Sequence, residues 1–356
     1  MDHRSRAWEN QPPTRLEMMA IGRDKSFFTF DLQKVIDELG CDALLAHLQK
    51  MLLIRNLEIR GEAAYQNGKV GGFYHSYIGQ EAIQTGCVAA AGDQHWYTTT
   101  YRCHALALLL GATPNEIMAE LFGKETGNAK GRGGSMHLFT DRLLGGLAIV
   151  GGQVPIATGA AFSIKYQKQK GMASFCFLGE GAVAQGAFHE SLNLASLWNL
   201  PAIYVIENNH WGMGTAANRA IAVDPIADHL SKSYDMRSIR VDGMDFFACY
   251  AAFKEALAVV LKTSRPILIE ADTQRFRGHS ISDPGQYRSK EELRWAMERD
   301  PIALMKTVLI LHNMLTEEEF RKMDLEQRDK VLAAVSFAEA SPWPSTVSLE
   351  EGVMAP

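Results

Sequence analysis

The chain has 356 residues, 47% of them hydrophobic and 22% charged, the balance of an ordinary globular protein and not of a disordered one. A formal net charge of -5 gives no electrostatic case for binding nucleic acid or an anionic membrane. Five scattered cysteines (Cys41, Cys87, Cys103, Cys176, Cys249) form no CxxC pair, which argues against a disulfide framework or a zinc site and fits a reducing, cytoplasmic setting.

Residues 1–25 read as a polar arm broken by Pro12-Pro13. Asp2, Glu9 and Glu17, with no apolar core, speak against a signal or transit peptide, and no apolar run approaches transmembrane length. Between Asp31 and Gln66, Leu32, Val35, Ile36 and Leu39, then Leu44, Leu45, Leu48 and Leu52, recur at helical spacing. Two helices are predicted, stopped at Gly68.

A glycine-aromatic loop from Gly71 leads into a helix reaching Ala91. Its Gly79, Ala82, Gly86 and Ala89 invite close approach of another helix. His75 stands just ahead of it, and a lone histidine there is more often structural than functional. HWYTTTYRCHALALLL, from His95, reads as a short strand, a Tyr101-Arg102 junction and an apolar helix. Arg102 suits either a phosphate, gripped bidentately, or a surface carboxylate; the role of His104 stays open. From Lys124 to Gly152 the chain is rich in glycine but lacks the Gly-Lys-Ser/Thr of a Walker A loop. Met136, Leu138, Phe139, Leu143 and Leu144 call for burial, so a folded loop over a ligand is predicted. Gln153 to Lys168 follows as a helix with a small-residue face.

The centre of the chain is GEGAVAQGAFHESLNLASLWNLPAIYVIENNHWGMG, Gly179 to Gly214. An apolar run (Ala173–Leu178) stops at Gly-Glu-Gly, an amphipathic segment runs from Gln185 to Leu197, and a second apolar run (Ala202–Ile206) ends in Glu207-Asn208-Asn209. This is a βαβ unit, with parallel strands and a right-handed crossover. Glu180 and Asn209 therefore meet at one sheet edge, where open α/β sheets hold ligands. A carboxylate, an amide and backbone carbonyls are hard oxygen donors suited to Mg²⁺, and the free N–H groups of the turn suit a diphosphate. An ordinary tight turn explains the glycines equally well. Two further strands (Ser238–Val241, Pro266–Ala271) flank a helix from Phe246 to Leu261. The loop from Arg275 then returns to the same edge, carrying His279. Beyond Ser289 come charged amphipathic helices, Ser289 and Glu292 resembling a capping box.

Gly-x-Gly, a helix and a strand, then Asn-Asn resembles the signature of thiamine-diphosphate enzymes. KGRGGSMH, GGQVPIATGAA, ENNHWGMGT and RGHSISDPG, in that order, resemble the α subunits of the first component of pyruvate dehydrogenase, in the 2-oxo acid dehydrogenase family. The resemblance implies an α/β thiamine-diphosphate-binding fold, a mainly parallel sheet flanked by helices with helical N- and C-terminal extensions. The expected division is 1–66 (arm and helices), 67–288 (cofactor-binding domain) and 289–356 (helical extension and tail). It implies oxidative decarboxylation of pyruvate with acetyl transfer to a lipoyl group. By the same resemblance Glu180, Asn209 and the Trp211 carbonyl hold Mg²⁺. Gly181, Ala182, Tyr101, Arg102, Ala148, Val150 and His279 line thiamine diphosphate, and His75 faces substrate. A β subunit, in a heterotetramer of two α and two β chains, and a lipoyl acyltransferase are the implied partners. Ser280 matches a position phosphorylated in regulated relatives.

Five departures bear on substrate, one of them the loop DPGQYRSKEE, a residue shorter than the common pyruvate-type form. Glu180 replaces the usual Asp, as in branched-chain 2-oxo acid enzymes; Ala184 replaces Asn, Ala148 replaces Gly, and Trp211 replaces Tyr. The alternatives are a branched-chain 2-oxo acid or acetoin as substrate, or an inactive assembly or regulatory relative. A nicotinamide enzyme is disfavoured, since GEGAVAQG does not fit GxGxxG.

Overall fold

A computed structural model describes residues 27–351; the arm expected over 1–25 lies outside them. Helix α1 (Leu32–Gln66) is capped by Asp31, whose Oδ1 accepts the Lys34 N–H at 3.2 Å. It breaks at Gly40 (φ 72, ψ 168), giving the two predicted helices end to end. Helix α2 (Glu81–Ala91), β1 (Trp96–Thr100), α3 (His104–Leu109) and α4 (Pro114–Leu121) follow. Next come β2 (Leu143–Leu147), α5 (Gln153–Tyr166), β3 (Ser174–Gly179), a 3₁₀ turn (Glu180–Ala184), α6 (Gly186–Leu197) and β4 (Ala202–Asn208).

A small ribbon, β5 (Trp211–Gly212) with β6 (Thr215–Ala216), precedes α7 (Ala217–Ala220) and α8 (Ile226–Ser233). Strand β7 (Arg237–Asp242), α9 (Phe246–Thr263) and β8 (Ile267–Asp272) complete the sheet. Helices α10 (Lys290–Glu298), α11 (Pro301–Leu311) and α12 (Glu317–Ala340), then a 3₁₀ turn (Thr346–Leu349), close the described chain.

Six strands lie in the order β2-β1-β3-β4-β8-β7, every pair parallel. Both faces are covered, so the central strands are apolar throughout and do not alternate. Along β3, Phe175 and Phe177 join the core under α2 and α9, while Cys176 and Leu178 join the core under α5 and α6. The predicted small-residue contact forms between α2 and α9. A Cβ on Gly86 would stand 2.7 Å from Cys249 Cβ, so only glycine lets these helices close up.

Three expectations change. LLGGL, read as part of a loop, is the edge strand β2. Phe139 is 44% exposed; its ring covers Gly145 and is not itself buried. Ser289 does cap α10, accepting the Glu292 N–H at 3.0 Å. The Glu292 carboxylate does not close the box, because it accepts the Trp211 Nε1–H at 2.9 Å.

Candidate active site

Strand order fixes where the site lies. From β1 the chain moves outward to β2 on one side, then returns to β3 and β4 on the other, so the switch point falls between β1 and β3. Their carboxyl ends carry Thr100-Tyr101-Arg102 and Gly179-Glu180. A cavity of about 490 Å³ opens there. Its wall brings together the residues that the resemblance gave to cofactor, metal and substrate: His75, Tyr101, Arg102, Ala148, Val150, Glu180, Gly181, Ala182, Asn209, Trp211 and His279.

Glu180 and Asn209 meet as the βαβ geometry requires: the Asn209 N–H donates to Glu180 Oε2 at 3.2 Å. Gly179 pairs in register with Glu207 across β3 and β4, which sets the two strand ends level. Glu180 is only 2% exposed. Burial raises its pKa, against the pull of its own backbone N–H, Arg275 and His210. The backbone N–H groups behind it belong to the 3₁₀ turn, not directly to the following α-helix.

Arg275, 1% exposed, donates through Nε to Asn209 Oδ1 (2.9 Å) and through Nη2 to the Trp211 carbonyl (3.1 Å). A carbonyl oxygen has two lone pairs, so each keeps one for a second cation. One carboxylate and two neutral oxygens, the latter two oriented by Arg275 and all three on one cavity wall, are hard donors of the kind Mg²⁺ takes. Among the described residues no cluster of three or more His, Cys, Asp or Glu offers a softer metal a site.

Arg102 pairs with no surface carboxylate: on the cavity wall, Nη1 donates to Ser76 O and Nη2 to His279 O, each at 2.6 Å. It clamps the two loops that carry the histidines. Burial, with Arg275 nearby, brings it down to about 10. The rings of His75 and Tyr101 lie 4.3 Å apart, and that of His279 lies 5.1 Å from His75. Burial first, then Arg102, depresses His75 to about 2 and His279 to about 3, so both are neutral at physiological pH. His75 Nδ1 is buried and unpartnered.

His104 is resolved as structural: Nδ1 meets Glu58 Oε1 at 3.0 Å and Nε2 meets Ser135 O at 2.9 Å. The glycine-rich loop folds around a carboxylate. Glu120 accepts the N–H groups of Ala129 (2.7 Å), Gly131 (2.9 Å), Gly133 (2.6 Å) and Gly134 (3.1 Å). A Cβ on Gly127 would stand 2.4 Å from Glu120 Oε2, which accounts for a glycine at that position. The loop runs on into β2 and delivers Ala148 and Val150 to the cavity.

Sequence reading missed Glu207 and Gln80. Glu207 was noted only as a strand end. It accepts from Tyr77 Oη and from Gln84 Nε2 (3.1 Å), and burial lifts it to about 7. Gln80 carried no local signal within IGQEA.

The comparisons agree with this architecture. Residues 49–346 match the family described as dehydrogenase E1 component. The chain belongs to that family. The pyruvate dehydrogenase E1 component subunit alpha of Rickettsia bellii is 41% identical over 301 residues, covering 84% of this chain and 92% of the relative. The chloroplastic subunit alpha-3 of Oryza sativa is 39% identical over 317 residues (86% and 74%). The mitochondrial subunit alpha of Kluyveromyces lactis is 40% identical over 303 residues (85% and 73%). Within the dehydrogenase E1 component family, then, this chain presents a preformed cavity at the switch point, its oxygen donors at one end and its histidines beside them.

Proposed function

We propose that this chain is the α subunit of a thiamine-diphosphate-dependent pyruvate dehydrogenase, acting with a β subunit to transfer an acetyl group to lipoyl on an acyltransferase. The observation that carries the reading is the convergence of Glu180, Asn209, Trp211 and the histidine pair on one cavity in a chain of this family. Glu180, Asn209 Oδ1 and the Trp211 carbonyl would hold Mg²⁺, and Gly181 and Ala182 would face the diphosphate. When bound, thiamine diphosphate supplies the nucleophilic carbon and the electron sink that decarboxylation of a 2-oxo acid needs.

The chain's own residues set the conditions. His75 and His279 are neutral hydrogen-bonding groups, Arg102 fixes their loops, and Phe73, Met136, Leu147 and Met213 keep the wall apolar. Phe162 and Tyr166 on α5 and Leu197 and Trp198 at the end of α6 remain exposed, with the Phe162 ring 6.0 Å from Tyr166 and 5.6 Å from Trp198, an apolar patch of the kind a second chain covers. A heterotetramer of two α and two β chains in the cytoplasm is the proposed form.

Glu180 favours a branched-chain 2-oxo acid as the second reading. The test is co-expression with the β-type partner and dye-coupled oxidation of pyruvate, branched 2-oxo acids and acetoin, with and without thiamine diphosphate and Mg²⁺. Cofactor-dependent turnover preferring pyruvate is expected. A branched-chain preference transfers the assignment to the second reading, and an assembled complex that neither turns over nor binds cofactor refutes both.

A further inference from the structure

Gln80 stands at the N-terminal end of α2, on the cavity wall, and is 1% exposed. Neither its Oε1 nor its Nε2 has a hydrogen-bond partner. A buried donor and acceptor left unpaired destabilise the fold that holds them, so their place on a ligand cavity points to the ligand as partner. The backbone that carries the side chain is fixed in place. The Gln80 N–H donates to Tyr77 O at 3.1 Å, and Gly79 (φ 101) fits a slot where a Cβ would stand 2.5 Å from Gln274 O.

Helix geometry shows which end of the cavity the amide serves. Gln84 lies one turn further along the same face and donates to Glu207 at 3.1 Å. Glu207 is level with Gly179. Since α2 runs into the amino end of β1, its own N-terminus lies at the carboxyl edge of the sheet. Gln80 therefore sits one turn above Glu207, over the strand ends that carry Glu180 and Asn209.

We infer that Gln80 is a binding residue for a hydrated metal–diphosphate: its Nε2–H donates to an anionic phosphate oxygen and its Oε1 accepts from a water on the cation. Such a ligand offers both an acceptor and a donor, which an amide needs. The inference rests on the thiamine-diphosphate reading above and adds a residue to it.

Gln80→Met and Gln80→Glu would be made in the assembled α–β protein. Binding of thiamine diphosphate and, separately, of inorganic pyrophosphate would be titrated calorimetrically with Mg²⁺, and thermal midpoints taken without ligand. Gln80→Met should weaken both ligands about tenfold while the ligand-free midpoint holds or rises, because an unpaired amide has been removed. Gln80→Glu should weaken them further through charge repulsion, and it carries the test if the Met variant does not fold. Unchanged affinities overturn the inference. So does a lower ligand-free midpoint with unchanged affinity, or a shift in pyruvate KM alone, which would place Gln80 at the substrate end. If the wild-type complex fails to bind thiamine diphosphate, the functional reading falls and this inference with it. Wild-type binding with an indifferent Gln80→Met sinks this inference alone.

Discussion

Replacing Glu120 by Gln tests whether the glycine-rich loop is ordered by one carboxylate. Two backbone N–H groups point at each oxygen: those of Ala129 and Gly131 at Oε2, those of Gly133 and Gly134 at Oε1. Gln keeps one oxygen and sets an NH₂ against the other two donors. At about 1.5–3 kcal/mol for each hydrogen bond to a charged group, losing two costs about 3–6 kcal/mol. With an unfolding entropy near ~2.1 cal/mol/K per residue, a two-state chain of 356 residues should melt about 4–8 °C lower. Scanning calorimetry measures this, and tryptic cleavage at Lys130 and Arg132 should accelerate. Glu125→Gln, an exposed neighbour in the same loop, is the control. If Glu120→Gln melts together with that control, the carboxylate does not organise the loop.

Gly86→Ala should destabilise, because overpacking at about 1–3 kcal/mol outweighs a helix-propensity gain of about 1 kcal/mol. Denaturant midpoints check it, and pairing with Cys249→Gly should recover part of the loss. Arg102→Met releases the carbonyls of Ser76 and His279 together. Cofactor affinity should fall and proteolysis near His279 should speed up, whereas cleavage at the wild-type rate would contradict the clamp. His75 and His279 hold folded pKa values of about 2 and about 3, below the ordinary 6.5. The unfolded chain thus binds more protons below that value. The stability they contribute is full above about pH 6.5 and is lost as pH falls toward about 3. His279→Gln should flatten the decline of the urea midpoint between pH 7 and 5, and an equally steep decline would count against it. Glu180→Gln should raise the Mg²⁺ concentration needed for thiamine diphosphate binding, read by calorimetry, and an unchanged requirement would remove Glu180 from the donor set.

The parts of this molecule readable in advance are those whose determinants lie close together in sequence. The βαβ unit announces itself through two apolar runs and a turn, and parallel pairing then brings Glu180 to Asn209 across a whole helix. His279 was placed by topology, since β8 ends at the same edge. Strand β2 stayed hidden because Gly145 and Gly146 erase strand propensity, and Gly146 is required by Cys103, whose Sγ would lie 2.7 Å from an added Cβ. Glu120 and Glu207 act through partners that only folding brings near, and Gln80 shows itself only once its amide is seen buried and unpaired on the cavity wall. Glu292 looked like a capping residue because its local spacing was right, and a distant indole claimed its carboxylate instead.

That indole gives the protein an internal reporter. Trp211 is one of six tryptophans, and its ring lies 5.0 Å from Tyr287 with its N–H held by Glu292. Indole emission shifts with the polarity and hydrogen bonding around the ring. A change at the Trp211 carbonyl should therefore be visible as a change in the colour or intensity of the chain's own fluorescence. The tyrosine usual at this position would be lost among ten others. Occupancy of the site can then be followed in real time, without dye or label, by the residue that sets this chain apart there.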